Sequence, residues 1–309
     1  MDWANQYIAR CQVPEPGQLV VDHVAHFAPD SAAAVRALGQ LGFTVTPFSP
    51  QSHRPTPDAP LTPAGTGNVC VMLRRGYLEF LTPTADTQIA DQLRAAIGRY
   101  VGVHLIALGT SDPEADRARV AAHGFGPLPV LALERPIGTP EGERTAGFAV
   151  ARVPAGTMPE GRIQFVQQKT PTLLWQRRWL DHPNHAFALA GVYICVADPA
   201  AAAARYERYL GLASTSWGSG RRIGMARGDF LFLAPEAVRR KFNIEPPTLP
   251  WIAGYALECG NPRAARSRIE MNDLATHDLE GGRFYVVAPS AIGGLLTFGL
   301  IGRTLPSPP

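Results

Sequence analysis

Apolar positions in this chain gather into short strand-like runs broken by single amphipathic helices, and the same order comes round four times. The first run, VVDHVAHF at 20–27, stops at Pro29-Asp30. It leads into SAAAVRALGQLG, where Ala34, Leu38 and Leu41 fall on one helical face and Gly42 is placed to end the helix. FTVTPF, a Pro-rich loop from Ser49 to Gly67, and the runs NVCVML and YLEFLT complete the unit, with Arg74, Arg75 and Gly76 as a tight turn between the last two. The second unit runs VGVHLIALG, the helix EADRARVAAHG, PLPVLALE, a second Pro/Gly-rich loop over Arg135–Gly147, GFAVARV and RIQFVQQ. LAGVYICVADP, AAAARYERYLG, STSWGS and RRIGMARGDFLFLAP make the third. WIAGYALECGNP, RAARSRIEMN, ATHDL, RFYVVAP and GLLTFG make the fourth. Each unit therefore reads strand, helix, strand, strand, strand. Each first strand ends at Pro-Asp, Asp-Pro or Asn-Pro, which starts a helix, so helices are expected just after Pro29, Pro113, Pro199 and Pro262.

Composition narrows the class. The chain has 309 residues, enough for about two domains and for cores that need no disulfide or metal staple. The net charge is +3 and the arginine pairs 74-75, 177-178 and 221-222 lie in different segments, which argues against a nucleic-acid partner. Four cysteines occur without CxxC spacing, and Cys70, Cys195 and Cys259 sit inside apolar runs as small buried hydrophobes of a reducing compartment. The N-terminus lacks an apolar core of signal-peptide length and no run of 18 apolar residues occurs, so a cytoplasmic protein with no membrane partner is expected. No GxGxxG, Walker-type loop, HExxH or GxSxG is present, and GSGRRIG at 218–224 reads as a β-turn.

Paired βαβββ units resemble the vicinal oxygen chelate superfamily, which includes glyoxalase I and the extradiol dioxygenases. VVDHVAHFAPD resembles its opening strand, YLEFLTP its closing strand with a Glu ligand, and RIQFVQQKTPTLLWQRRWLDHPNHA a segment of the glyoxalase-like subgroup. The resemblance implies an α+β fold in which four βαβββ units pair into two curved, cup-shaped mixed sheets, a metal-binding domain at 18–170 and a degenerate one at 185–302. The Trp- and Arg-rich stretch between them, 170–184, reads as a packed connection rather than a free tether.

In this superfamily the ligands come from the first and last strand of each unit. Carried over, they are His23 and Glu79 in unit one, and His104 and Gln164 in unit two, at similar intervals. One divalent ion (Zn, Ni, Mn or Fe) is implied, a Lewis acid for a small oxygenated metabolite bound through adjacent oxygens. Glu79 is the candidate base. His23 would share its face with Phe27, Glu79 with Tyr77, and Gln164 with Gln168, which makes Phe27, Tyr77 and Gln168 pocket candidates. The two long loops are expected to cover the cup, with Arg54, Arg135 and Arg144 available to an anionic substrate. His26 and His123 read as structural and His53 as a solvated loop residue. In the second half the ligand positions fall on Tyr193 and Leu231 in unit three, and on an apolar residue or Tyr255 and on Leu295 or its neighbours in unit four, so that half reads as scaffold, lid or homodimer surface.

The implied function is a metal-dependent lyase or isomerase. A non-haem Fe(II) dioxygenase of the extradiol type stands as the alternative, since two His and one carboxylate match its facial triad. A non-catalytic small-molecule-binding protein of the resistance type is the third reading.

Overall fold

The computed structural model describes residues 3–54, 59–300 and 302. A leading helix α1 (Trp3–Arg10) precedes the first unit, β1 (Val20–Phe27), α2 (Ser31–Gln40), β2 (Ser49–His53), β3 (Thr62–Met72) and β4 (Tyr77–Pro83). After α3 (Gln88–Arg99) the second unit runs β5 (Gly102–Gly109), α4 (Pro113–Ala122), β6 (Leu131–Thr139), β7 (Gly142–Arg152) and β8 (Arg162–Gln168). A short helix α5 (Pro171–Leu174) opens the connection to unit three, β9 (Ala186–Cys195), α6 (Pro199–Leu210), β10 (Thr215–Trp217), β11 (Gly220–Gly224) and β12 (Asp229–Leu233). Past α7 (Pro235–Phe242), the fourth comprises β13 (Trp251–Cys259), α8 (Pro262–Glu270), β14 (Thr276–Leu279), β15 (Arg283–Val287) and β16 (Leu295–Gly299).

The expected α+β fold of four βαβββ units is the observed one. The helix starts follow from local chemistry: Asp30, Asp112, Asp198 and Asn261 each accept a first-turn backbone N–H, and proline opens α4, α6 and α8. The buried faces of α2, α4, α6 and α8 pack into one core behind both halves, with Leu38, Val120, Tyr206 and Ile269 among its members.

Three features depart from the sequence reading. Residues 55–58 lie outside the described residues, and the described parts of Ser49–Gly67 and of Arg135–Gly147 are mostly strand. They are two β arms, β2 on β3 and β6 on β7, turned in the second arm by Pro140 and Glu141. Pro50 and Pro136 are tolerated because β2 and β6 are edge strands with one neighbour each, so the missing N–H leaves no ladder bond unmade. FTVTPF, expected as a strand, is irregular, and β2 begins just after it. Helices α3 and α7 were not anticipated. Each follows the last strand of an odd-numbered unit and packs on a sheet's inner face. Leu93, Ile89 and Ala96 of α3 cover one end of the first cup. Phe242 of α7 fills the second, edge-on to Tyr193 and Tyr285 at 5.4 Å each.

The connection between halves is packed, as expected: Trp175 is fully buried and its indole N–H donates to the Leu73 carbonyl at 3.0 Å. The halves also exchange turns. Arg75, between β3 and β4, bonds the backbone of β9 through Phe187 and Leu189. Arg227, between β11 and β12, accepts from Val21 of β1 at 2.8 Å. Gly76 and Gly228 follow those arginines at φ 81°, where a Cβ would stand 2.8 Å from the Asp22 carbonyl and 2.7 Å from Val21. Only glycine lets the turns lie so close. Among the described residues no helix is long and apolar enough to cross a membrane.

His26 and His182 are buried inside this frame, hydrogen-bonded to the carbonyls of Ile292 and Met72. Burial holds each imidazole down to about 4. Their folded values lie below the unfolded 6.5, so the unfolded chain binds more protons between those limits. Stability is then complete above pH 6.5 and falls as pH drops toward 4, by about 1.4 kcal/mol per pH unit for each histidine. Urea midpoints taken from pH 7.5 to 4.5 should show this decline, and a flat profile would contradict it.

Candidate functional site

A β-bulge recurs in the first strand of each unit and sets the geometry. In the β1–β5 pairing, Val21 faces Leu108 and His23 faces Ala107, which leaves Asp22 as an extra residue; Ala25 faces Leu105 and His26 faces Val103, which leaves His104 extra. The β9–β13 pairing slips in the same way at Ala190 and Ala253. A bulge turns two successive side chains to one face. The residue after it is therefore the equivalent inner-face position of each unit: His23, Leu105, Gly191 and Gly254. The parallel partners two residues along are Glu79, Gln164, Leu231 and Thr297.

This register corrects the assignments made from spacing. His104 is the counterpart of Asp22, not of His23. In the second half the counterparts of His23 are glycines, whereas Tyr193 lies deeper, bonded to Thr297 at 2.8 Å, and Tyr255 points to the shared core, 3.2 Å from His26 Nε2. None of the equivalent positions in that half carries an imidazole or carboxylate.

In the first cup the bulge brings Asp22 and His23 side by side, with Asp22 Oδ1 2.6 Å from His23 Nδ1. That contact places the ring proton on Nδ1 and leaves Nε2 as the acceptor. Nε2 lies 3.9 Å from Glu79 Oε2 and 3.5 Å from the Tyr77 hydroxyl, and the Tyr77 ring stacks on the imidazole at 4.2 Å. Glu79 is held by amides: Asn68 Nδ2 at 2.5 Å and Gln51 Nε2 at 3.4 Å, Gln51 being fixed in turn by the Thr66 hydroxyl. Gln168 donates to both oxygens of Asp22, while its own Oε1 is buried without a partner. Burial first, then the carboxylates of Asp22 and Glu79, holds the Tyr77 phenol well above its ordinary range, so it stays protonated. Burial and Glu79 push the Cys70 thiol up to about 12, which removes it as a nucleophile.

Both arms reach this centre. β2 supplies Gln51, and β6 supplies Arg135, which bonds Cys70 and lies over the Phe148 ring at 5.7 Å. Arg54 follows β2 and is half-buried; Arg144 is exposed on the outer part of β7. His53 lies in β2 and not in a loop, and His123 caps α4. Arg227 arrives from the other half. Its Nη1 donates to the Cys11 carbonyl at 2.7 Å, Nε and Nη2 are buried without a partner, and the Asp22 carboxylate acts on its charge.

Of the four ligands read from the sequence, the fold brings His23 and Glu79 together. His104 is elsewhere, stacked between Phe27 at 5.1 Å and Tyr100 at 4.0 Å with Nε2 on the Tyr100 carbonyl at 2.8 Å; burial holds it neutral, down to about 4. Gln164 is half-buried between Ala107 and Arg152. Among the described residues no three His, Cys, Asp or Glu side chains converge as a metal would require. One cation could touch both His23 Nε2 and Glu79 Oε2, but two protein donors are fewer than the three or four that hold a resident transition metal. The residues present therefore do not fit a four-ligand centre.

The inner face is narrow, with Glu79 9% and His23 5% exposed. A groove of about 1040 Å³ lies outside the cup, lined by Tyr7, Arg75, His185 and Phe187 among others. Its charged groups are already paired, Arg74 with Asp181 and Arg75 with Glu258, and it holds no acid–base pair like His23 and Glu79.

Sequence reasoning missed Asp22, Asn68 and Gln51. The signal for Asp22 was present: two adjacent polar residues inside an apolar strand break its alternation, as a bulge does.

Residues 21–210 match a family model described as a glyoxalase-like domain. A search of curated proteins finds no match. Among solved structures, a hypothetical protein from Staphylococcus aureus is similar at TM-score 0.60 and 10% identity, over 92% of this chain and 99% of that one. A mutant of 4-hydroxymandelate synthase from Streptomyces coelicolor is similar at TM-score 0.57 and 13% identity, over 94% and 95%. A fusion protein of a xylose isomerase-like TIM barrel with 4-hydroxyphenylpyruvate dioxygenase gives 0.55 and 12%, over 93% of this chain and 50% of that chain. At these identities the likeness is one of fold.

Replacing Asn68 by leucine removes the shorter of the two amide contacts to a buried carboxylate. The expected cost is about 1–3 kcal/mol of stability, measured by urea unfolding. An unchanged midpoint would mean that Glu79 does not depend on Asn68.

Proposed function

The chain belongs to the glyoxalase-like domain family of the vicinal oxygen chelate superfamily, and on that premise we propose that it is an isomerase or lyase that moves a proton on a small oxygenated metabolite in its N-terminal cup. One observation carries this reading: the line Asp22–His23–Glu79, in which an imidazole has its Nδ1 proton fixed by one carboxylate and its Nε2 open toward another.

His23 Nε2 takes a proton from the substrate carbon beside a carbonyl, and the electron pair of that C–H bond becomes the C=C bond of an enediol or enediolate. Asp22 and Glu79 stabilise the imidazolium that forms. The protonated Tyr77 hydroxyl, 3.5 Å from Nε2, is placed to donate to the oxygen that gains charge. Gln168 Oε1, an acceptor without a partner, suits a substrate hydroxyl. Return of the proton to the former carbonyl carbon completes an isomerisation. In an elimination the enolate oxygen re-forms the carbonyl, the C=C pair moves to the bond on the other side of the deprotonated carbon, and a leaving group departs from the β carbon with its bonding pair. Glu79 was the expected base. Its two amide donors and the neighbouring ring support the part of a fixed anion instead, with His23 as the group that exchanges protons.

The test is proton exchange. A panel of α-hydroxycarbonyl compounds is incubated with the enzyme in D₂O and followed by ¹H NMR. Deuterium should enter the carbon beside the carbonyl, with and without EDTA, and His23→Ala should slow this by about 10²- to 10⁴-fold. Exchange that depends on added Zn, Ni, Mn or Fe, or that survives His23→Ala, would refute the reading.

A further inference from the structure

Beyond the His23 centre, the inner face of the first cup carries a second chemical feature, a group of arginines without counterions. On β8, Ile163 and Phe165 face the shared core, so Arg162, Gln164, Val166 and Gln168 face the cup. Arg162 is half-buried. Its guanidinium lies over the Phe27 ring at 5.6 Å, and Nη2 donates to Gln92 Oε1 of α3 at 2.7 Å, a neutral partner. Arg152, on the same face of β7 and opposite Gln164, stands close enough for its charge to act on Arg162. Arg99, at the end of α3, covers the Tyr100 ring and donates to the Pro250 carbonyl at 3.3 Å, again a neutral acceptor.

Among the described residues no carboxylate stands within ion-pair distance of Arg99, Arg152 or Arg162. The nearby acids are engaged elsewhere: Glu160 with Arg205, Asp91 and Asp86 with Arg94. Arginines 74, 75, 94, 117, 119, 205, 222, 239 and 266 each have an acidic partner; Arg162 and Arg152 have none and stand together on one face of the cup. Holding a second positive charge beside the half-buried Arg162 is unfavourable unless an anion joins them. A guanidinium held over an aromatic ring, with donors left over, is suited to bind an oxyanion through two parallel hydrogen bonds.

The register relates this group to the acid–base centre. Arg162 is opposite Leu105, and Leu105 is opposite Ala25; two residues further along the same face come Gln164, Ala107 and His23. That step is about 7 Å along the strands. We propose that Arg162 and Arg152, with Arg99 at their side, bind an oxyanion of the substrate, a carboxylate or phosphate group, at the end of the cup away from His23. The substrate class is thereby an anionic oxygenated metabolite, its charged end on β7 and β8 and its reacting carbon at His23. The assignment rests on the proton-transfer reading for its reacting end. It also replaces the arginines expected from sequence: Arg54 and Arg144 lie outside this face, and Arg135 meets Cys70 nearer the opposite end.

Two probes distinguish the sources of the oxyanion, inorganic phosphate and malonate, each titrated into the full-length protein by calorimetry against chloride at matched ionic strength. Saturable binding of at least one is expected. R162Q should weaken it about tenfold or more, as loss of a charge-assisted hydrogen-bonded pair predicts. R152Q changes an exposed side chain, so it should fold and shift binding in the same direction. R208Q, at an exposed arginine of α6, and H23A should leave it unchanged. Phosphate binding alone assigns a phosphate group, malonate binding alone a carboxylate. Absence of saturable binding by both, or equal binding in wild type, R152Q and R162Q, overturns the assignment. Proton exchange on uncharged compounds without anion binding would remove the substrate class and leave the His23 reading intact; anion binding without proton exchange on any of the panel would do the reverse.

Discussion

The site depends on one irregularity in one strand. Without the extra residue at Asp22, β1 would alternate strictly, and Asp22 would face the apolar core while His23 faced the cup alone. The bulge puts both on the inner face, 2.6 Å apart, and so fixes which imidazole nitrogen carries the proton. Everything else at the centre answers to that choice: Glu79 stands across from the free nitrogen, Asn68 and Gln51 hold Glu79, and Gln168 holds Asp22 from β8, beyond β5. A buried carboxylate is tolerable only with such donors, so the amides are as necessary to the fold as to any chemistry.

Much of the fold was legible because it is written in local chemistry. Asp-Pro and Asn-Pro steps announce helix starts, and period-2 apolar runs announce strands. What stayed hidden was register. Similar intervals suggested that His104 matched His23, but an interval cannot see a bulge, and one inserted residue exchanges the two faces of everything before it. The arms over the cup were hidden for another reason. Proline-rich stretches read as loops, and only position at a sheet edge makes Pro50 and Pro136 compatible with strands. Asn68 and Gln51 could not be found at all without tertiary structure, since nothing in NVCVML or SPQSH distinguishes an amide that meets a carboxylate from one that meets water.

The two cups show how one architecture takes two fates. The bulge persists in all four units, because it belongs to the curvature of the sheet. The side chains that exploit it persist only in the first unit, where polar residues have β2 and β6 above them. In the second half the same positions are Gly191 and Gly254, and α7 with Phe242 occupies the space. Helix α3, at the corresponding point of the chain, covers just one end of the first cup. The difference between a site and a core here is how far one helix extends over the sheet.

The exchanged turns bear on how the protein is made. Val21 of β1 bonds to Arg227, and His26 to Ile292, so the strand that carries His23 completes its contacts only with residues from the far end of the chain. On a ribosome, the first half emerges with Asp22 and His23 already synthesised but without the backbone that braces them. The second half thus acts as an intramolecular clamp, and a nascent chain gains a finished His23 centre only late in its own synthesis.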